Sequence, residues 1–578
     1  MPSFAIPAPD ASIPATAPAK LDQAIDKLQR HKGAFARLSL DRRISLLDGL
    51  ADGVMKVAEE WVKAALGAKG IHPGSGPEGE EWLAGPMATV RNIRFLQKSL
   101  AEVRDHGAPL LPSARLSTRS DGRLVARVFP DRLWDQLLYS GITGDVWMQP
   151  GVTAQNLPSH QASAYRDQDS TGKVSLVLGA GNVASIGPMD ALYKFFVENQ
   201  VVLLKMNPVN EYLGPFILQA FGQLAEEGWF EVVYGGAEVG AYLVAHPGIE
   251  EIHITGSDAT HDAIVWGTGK EQAERKAART PKLEKRISSE LGNVTPVVIV
   301  PGEWSEKELQ YQAENIVSMV VNNASFNCNA AKLLVLAEGW DQREVFTERI
   351  RSLLSDIPTR KAYYPGARSR WQEFVEAHRD HATLLGTDDN ENVPWTYISG
   401  LDANDPDEIC FRQEPFCGLL HEVTLPSATA ADFLDSAAAF CNERVWGSLA
   451  ISLLIDPRTR KTAEAGAALD RALDQLRYGS IAINTWAALA YALCSTTWGA
   501  HPGHPLDDIQ SGQGVVHNTY LFDKPQKTII DAPFRIVPKP PWFPTHARGH
   551  RVARKIAYFE AEPGWSRLPG IIFDAARS

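Results

Sequence analysis

From residue 172 to about 290 the chain alternates short apolar runs with helix-length stretches, and this rhythm constrains the fold more than any other feature. Lys173 to Leu178 reads as a strand, Gly179-Ala180-Gly181 as the opening of a helix to about Asn199, and Val201 to Leu204 as the next strand. A helix over Tyr212 to Glu227 follows, then Phe230 to Tyr234, a helix after Gly235-Gly236, and Glu251 to Thr255. Strands that are apolar throughout are buried on both faces, as in a parallel sheet covered by crossover helices. The expected class is α/β with a doubly wound sheet, and such sheets bind ligands at the carboxyl ends of their strands.

Before this block, Leu21 to about Val103 has apolar residues at helical spacing, with Asp41 placed to cap a helix starting at Arg42 and a Gly/Pro-rich turn at Gly70 to Gly79. Residues 104–170 contain β-like runs at Leu124 to Phe129 and Asp145 to Met148, to which pattern alone assigns no role. A second α/β block spans about 294 to 507, and the chain returns through Thr528 to Ile530 and Phe534 to Val537. Pro538 to Pro544 marks a boundary, and 545–578, with Arg548, Arg551, Arg554 and Lys555, reads as an appended tail.

With 578 residues, two or three domains are expected. A net charge of −12 argues against nucleic acid as a partner. No apolar run approaches the roughly 20 residues of a spanning helix, and Met1 to Lys20 reads as a disordered lead-in. The five cysteines form no CxxC pair, so neither a disulfide framework nor a structural zinc site is expected, and a reducing cytoplasm fits.

One of those cysteines stands apart. Cys328 lies in Asn322-Asn323-Ala324-Ser325-Phe326-Asn327-Cys328-Asn329, between the apolar runs Ile316 to Val321 and Leu333 to Leu336. A thiol at such a hinge opens onto a cleft while its neighbours offer backbone N–H donors, which a nucleophile attacking a carbonyl needs. Alone, a single cysteine is more often a small buried hydrophobe.

The surrounding landmarks carry a resemblance. Asn182 follows Gly179-Ala180-Gly181, and Lys205 lies 23 residues on; then come Ile254-Thr255-Gly256-Ser257, Ser289-Glu290-Leu291-Gly292-Asn293, the Cys328 loop, Glu414-Pro415-Phe416 and Gly479 to Asn484. In this order, from about residue 30 to 535, the chain resembles the NAD(P)-dependent aldehyde dehydrogenase superfamily. The resemblance implies an aldehyde dehydrogenase-like α/β fold: a Rossmann-type cofactor domain, an α/β catalytic domain and a β oligomerisation arm. The corresponding boundaries are 21–145 with 171–289 for the cofactor domain, 290–507 for the catalytic domain, 146–170 with 508–537 for the arm, and 538–578 for a C-terminal extension.

By the same resemblance Cys328 is the nucleophile, the Asn182 amide with the Cys328 N–H holds the oxyanion, and Glu290 is the general base for water. Such an oxyanion donor is worth on the order of 3 kcal/mol of barrier. NAD or NADP is the implied cofactor, with Lys205 on the adenosine ribose, Glu414 on the nicotinamide ribose, Phe416 near the ring, and Gly256-Ser257 leading into a helix facing the pyrophosphate. No GxGxxG fingerprint is present, and Pro208, standing where NAD-preferring members often carry Glu, leaves the dinucleotide preference open. The partners implied are a small aldehyde and further copies of the chain, as a homodimer or homotetramer.

Several positions depart from the family pattern: Ala180-Gly181 before the Asn, Phe326 beside the thiol, Asn293 for a glycine and Cys417 for a glycine. They point to a divergent branch with an unusual substrate. His501 and His504 form an HxxH in a Gly/Pro loop, but a zinc site needs three or four ligands, so no metal is expected. Trp498 is expected in the core or the substrate tunnel. The alternatives are a CoA-acylating dehydrogenase, disfavoured by Glu290, and a non-catalytic scaffold, disfavoured by the joint presence of Cys328, Glu290, Asn182, Lys205 and Glu414.

Overall fold

The computed structural model describes residues 13–167, 171–389 and 391–578. Two sheets organise it. The smaller has six strands in the order Gly512–Gln513, Arg286–Glu290, Glu251–Thr255, Val174–Leu178, Val201–Lys205, Phe230–Val233. The five long strands are parallel, and only the short Gly512–Gln513 strand runs against them. The strands Val174–Leu178, Val201–Lys205 and Glu251–Thr255 are buried at every residue; Val201 to Leu204 is an unbroken apolar run, whereas Glu251, His253 and Thr255 are buried against polar partners. The chain winds outward one way from Val174–Leu178 and returns to Glu251–Thr255 on its other side. Their carboxyl ends, which lead to Asn182 and to Gly256-Ser257, flank this switch point.

Two local expectations change. The helix after Val174–Leu178 starts at Ile186, not at Gly179-Ala180-Gly181, and runs Ile186–Phe196. Gly181 is pressed on the next connection, where an added Cβ would lie 2.7 Å from Asn207 Oδ1, so this segment turns instead of coiling. The helix expected over Tyr212 to Glu227 breaks at Phe221 into Gly214–Ala220 and Gly222–Glu226.

The larger sheet has eleven strands: Leu116–Thr118, Leu124–Phe129, Thr143–Met148, Pro525–Asp531, Ser480–Ile483, Ala450–Leu454, Thr295–Ile299, Ala331–Ala337, Leu419–Leu425, Trp395–Leu401 and Ala382–Leu385. From Pro525–Asp531 to Trp395–Leu401 the pairs are parallel, and the strands at the two ends are antiparallel. Within the expected arm, Pro525–Asp531 pairs in parallel with this chain's own Ser480–Ile483, and Thr143–Met148 lies on its other edge. Ile530 is fully enclosed there, and Ile529 joins the core of the larger sheet. Residues 168–170 of the expected arm lie outside the described residues.

The N-terminal part is helical, as Pro18–Ala36, Leu40–Lys69 and Ala88–His106. The disordered lead-in expected to residue 20 is corrected where it is described. Ile13 N–H donates to Glu211 Oε1 at 2.7 Å, Thr16 N–H donates to Tyr234 O at 3.0 Å, and a helix begins at Pro18; residues 1–12 lie outside the described residues. The second helix is capped by Ser39, whose hydroxyl accepts the Arg42 N–H at 3.2 Å, so Asp41 sits in the first turn instead of at the cap.

The C-terminal extension forms the helices Gly549–Ala561 and Leu568–Ala575. Its apolar face, including Val552, Ile556 and Phe559, packs with Ala58, Val62, Trp82 and Met87. Glu560 joins a fully enclosed cluster with Arg91, whose other guanidinium nitrogen bonds Asp135 at 2.8 Å, and accepts from Arg132 at 2.9 Å. Among the described residues no helix is long and apolar enough to cross a membrane.

Candidate active site

The helix Glu306–Val321 delivers the chain into an unusual turn. Asn323, Ala324 and Ser325 all take positive φ, at 52°, 53° and 69°. Left-handed backbone costs an L-residue roughly 1–2 kcal/mol, so the turn needs outside support. Buried Lys332 supplies it, donating to Ser325 O at 3.1 Å, Ser325 Oγ at 2.7 Å and Cys417 O at 2.8 Å. Asn323 Nδ2 donates to Asn182 O at 2.9 Å and to Phe326 O at 3.1 Å. A buried Lys69–Glu81 pair at 2.7 Å grips the same point, Lys69 also donating to Asn182 O and Asn323 Oδ1. The loop is thereby fixed to both halves of the molecule.

Cys328 emerges half-buried from this turn, and its thiol donates to Glu290 Oε1 at 3.1 Å. Glu290 ends the strand Arg286–Glu290, and its carbonyl accepts the Gly256 N–H at 3.0 Å. Burial, and then the nearby Asp190 charge, push its carboxyl up to about 7, while the Cys328 thiol and Trp498 pull the other way. The thiol is pushed well above its usual range by burial and by Glu290. The resting proton therefore sits on sulfur, next to a carboxylate poised near neutrality to take it.

Asn182 lines the same cavity, which has a volume of about 110 Å³. Its side-chain N–H donates to Phe326 O at 2.9 Å, so one amide hydrogen ties down the Cys328 loop. Phe326, expected beside the thiol, turns away from the cavity into a cluster with Tyr363, Tyr364 and Phe416, the ring centroids lying 5.0, 5.7 and 5.8 Å from its own. Asn293 is a fastener: its Nδ2 donates to Thr295 Oγ1 and to Ala450 O, both at 2.8 Å.

The other expected site residues lie along the switch-point edge. Glu414 packs on Gly292, where an added Cβ would stand 2.2 Å from Glu414 Oε2. Burial pushes its carboxyl up to about 8 against the pull of Lys332, its Oε1 is buried without a partner, and its charge is felt at the Cys328 thiol. Phe416 takes φ 42° and meets Tyr364 at 4.9 Å. Gly256 is tied to Glu290 as above, and Ser257 caps the helix Asp258–Trp266 by accepting the Thr260 N–H at 3.2 Å. Lys205 is farther out, at the end of Val201–Lys205, its ammonium lowered by burial to about 8 despite Glu211.

Sequence reasoning did not single out Lys332, Lys69 or Asp190. Asp190 is enclosed at 1% exposure, accepts from Thr255 Oγ1 at 2.9 Å and lies 3.5 Å from His253 Nε2. Its signal was available: a lone acid in the mostly apolar run Ile186 to Phe196, whose one other charge is Lys194. His501 and His504 do not form a ligand set. Among the described residues, His378, Glu408 and Cys410 do have ligand atoms within 4.8 Å of one another. Glu408 is committed there to His378 at 3.1 Å and to the Cys410 N–H at 2.9 Å.

Residues 174–370, which include Asn182, Lys205, Gly256, Ser257, Glu290 and Cys328, match the model of the aldehyde dehydrogenase family. The chain is 27% identical over 164 residues to N-succinylglutamate 5-semialdehyde dehydrogenase of Novosphingobium aromaticivorans, covering 28% of this chain and 32% of that protein. It is 29% identical over 236 residues to aminoacetaldehyde dehydrogenase of Pseudomonas aeruginosa, covering 38% and 42%. The matched part thus spans under half the length of these relatives. The NADP complex of glyceraldehyde-3-phosphate dehydrogenase GapN from Methanocaldococcus jannaschii superposes with a TM-score of 0.57 at 16% identity, over 90% of this chain and 96% of that one. At that identity the likeness is one of fold. Residues 174–370, which carry the Cys328 loop and the landmarks before it, thus match the aldehyde dehydrogenase family, and the fold along nearly the whole chain is aldehyde dehydrogenase-like.

Proposed function

We propose that this chain oxidises an aldehyde to a carboxylic acid, using NAD or NADP and water. The observation that carries the reading is the 3.1 Å contact between Cys328 Sγ and Glu290 Oε1 at the wall of a mostly apolar cavity. Glu290 takes the thiol proton as sulfur attacks the carbonyl carbon, and a C–S bond replaces the C=O π bond. The second Asn182 amide hydrogen and the Cys328 backbone N–H are the donors offered to the oxyanion, the first being committed to Phe326. A bound nicotinamide dinucleotide would accept the hydride that this carbon gives up. Cys328 is left as a thioester; Glu290 passes on its proton, then draws one from water as the hydroxyl adds and the C–S bond breaks, releasing the acid and restoring the thiol.

The residues fit such a cofactor. Glu414 holds a buried carboxylate oxygen with no protein partner, suited to accept from a ribose hydroxyl, and Lys205 keeps an ammonium at the carboxyl end of its strand. Gly256-Ser257 at the switch point offers backbone to a pyrophosphate. The NADP carried by the M. jannaschii relative supports a nicotinamide cofactor of either kind. Five free cysteines fit a reducing compartment such as the cytoplasm.

The test is the absorbance of reduced nicotinamide formed from a panel of aldehydes with NAD or NADP, with and without CoA, beside Cys328→Ala. Turnover without CoA that vanishes in the variant is the expected result. Turnover only with CoA would replace hydrolysis by acyl transfer, and turnover unaffected by the substitution would overturn the reading.

A further inference from the structure

We propose that the C-terminal extension forms part of the substrate cavity through Trp542, and that the cavity so formed takes small, uncharged, apolar aldehydes. This rests on the dehydrogenase reading of the same site. Trp542 lies beyond the last strand, in the Pro538 to Pro544 stretch, yet it lines the cavity that holds Cys328, together with Trp486, Trp498 and Leu489. Its indole N–H is buried without a partner, so it has no polar anchor of its own and is held by packing.

Its position is set by its neighbours. Lys539 pairs with Glu314 at 2.6 Å, and Phe543, enclosed at 3% exposure, meets Tyr311 with centroids 5.3 Å apart. The helix Gly549–Ala561 then sits on the segment that supplies Glu80, Leu83 and Ala84 to the cavity lining. Contact there is close: a Cβ on Gly79 would stand 3.0 Å from His550 Cα. The extension thus supplies one wall and braces another.

The chemistry of the lining selects the substrate. Among the described residues no lysine or arginine lines the cavity, while Glu290 does. Glu80, the other acid on the lining, is already held by Arg360 at 2.7 Å and by the Asn323 N–H at 2.9 Å. A carboxylate- or phosphate-bearing aldehyde would therefore be desolvated without a counter-charge. Size sets the other limit. An apolar cavity of about 150 Å³ holds benzene, so about 110 Å³ suits a short branched chain or at most a single ring.

Isobutyraldehyde, benzaldehyde, dodecanal and succinic semialdehyde are compared by kcat/KM, each beside the Cys328→Ala control. The first two are expected to exceed the last two by about tenfold or more. Trp542→Ala is expected to raise the dodecanal-to-isobutyraldehyde ratio by about tenfold, and Trp542→Phe to leave it near wild type. Cys328-dependent turnover that favours the semialdehyde, or an unmoved ratio in Trp542→Ala, overturns the inference and leaves the dehydrogenase reading standing. Absence of any Cys328-dependent turnover sinks that reading instead. Saturation-transfer NMR on Cys328→Ala protein then reads the cavity directly: benzaldehyde binding weakened by adding Trp542→Ala and kept with Trp542→Phe supports the proposal, and equal binding of the semialdehyde overturns it.

Discussion

The Cys328 thiol does not ionise on its own. Burial and the Glu290 carboxylate both hold its proton in place, and Glu290 is the group positioned to remove it. Activity therefore depends on Glu290 being ionised. Because its carboxyl is raised to about 7, kcat/KM should rise with pH through about 7 and fall below it. Asp190 contributes to that elevation as a like charge, so Asp190→Asn should move the acidic limb to lower pH without abolishing turnover. A pH–rate profile for both proteins checks this; an unmoved limb would mean that Asp190 acts only as a structural partner of Thr255. Asp190 shows why part of the site was hidden in the sequence. Its chemistry depends on burial beside Glu290, a hundred residues away, and periodicity within its own helix does not report that. Cys328, Glu290 and Asn182 were legible through the order and spacing of landmarks that resemble a known family, since local pattern alone reads a lone cysteine as a small buried hydrophobe.

Among the elements, the C-terminal helix Gly549–Ala561 is joined to the core by charge as well as by its apolar face. Glu560 is enclosed with Arg91, Arg132 and Asp135. Removing one partner of such a cluster leaves uncompensated buried charge, which costs about 3–5 kcal/mol. Glu560→Gln should lower the urea midpoint accordingly and loosen the extension to proteolysis; a change below about 1 kcal/mol would contradict the assigned role. The sequence marked 538–578 as a separate segment from its prolines and basic residues. Its apolar positions, Val552, Ile556 and Phe559, carry the docking, but nothing in their spacing names the helices they meet some 470 residues earlier.

For the whole molecule, the doubly wound sheet was readable because parallel strands buried on both faces leave unbroken apolar runs, as in Val201–Lys205. The seating of Pro525–Asp531 was not readable, since a strand's sequence fixes its faces and leaves its edge partner open. That strand completes this chain's own sheet. Each 63.3 kDa chain should therefore keep its fold and its activity per chain on dilution, which sedimentation velocity with parallel assays measures. Loss of activity on dissociation would mean that the strand is shared between subunits.

The central claim is covalent passage of the substrate through Cys328. Intact-protein and peptide mass spectrometry of the wild-type protein, acid-quenched within the first turnover with aldehyde and NAD or NADP, tests it most directly. The account predicts that the Cys328 peptide gains the mass of the aldehyde less two hydrogens, the signature of a thioester, and that Cys410, Cys417, Cys441 and Cys494, all buried, stay unmodified. An unmodified Cys328 in protein that has formed reduced nicotinamide, or acylation at another residue, would contradict it.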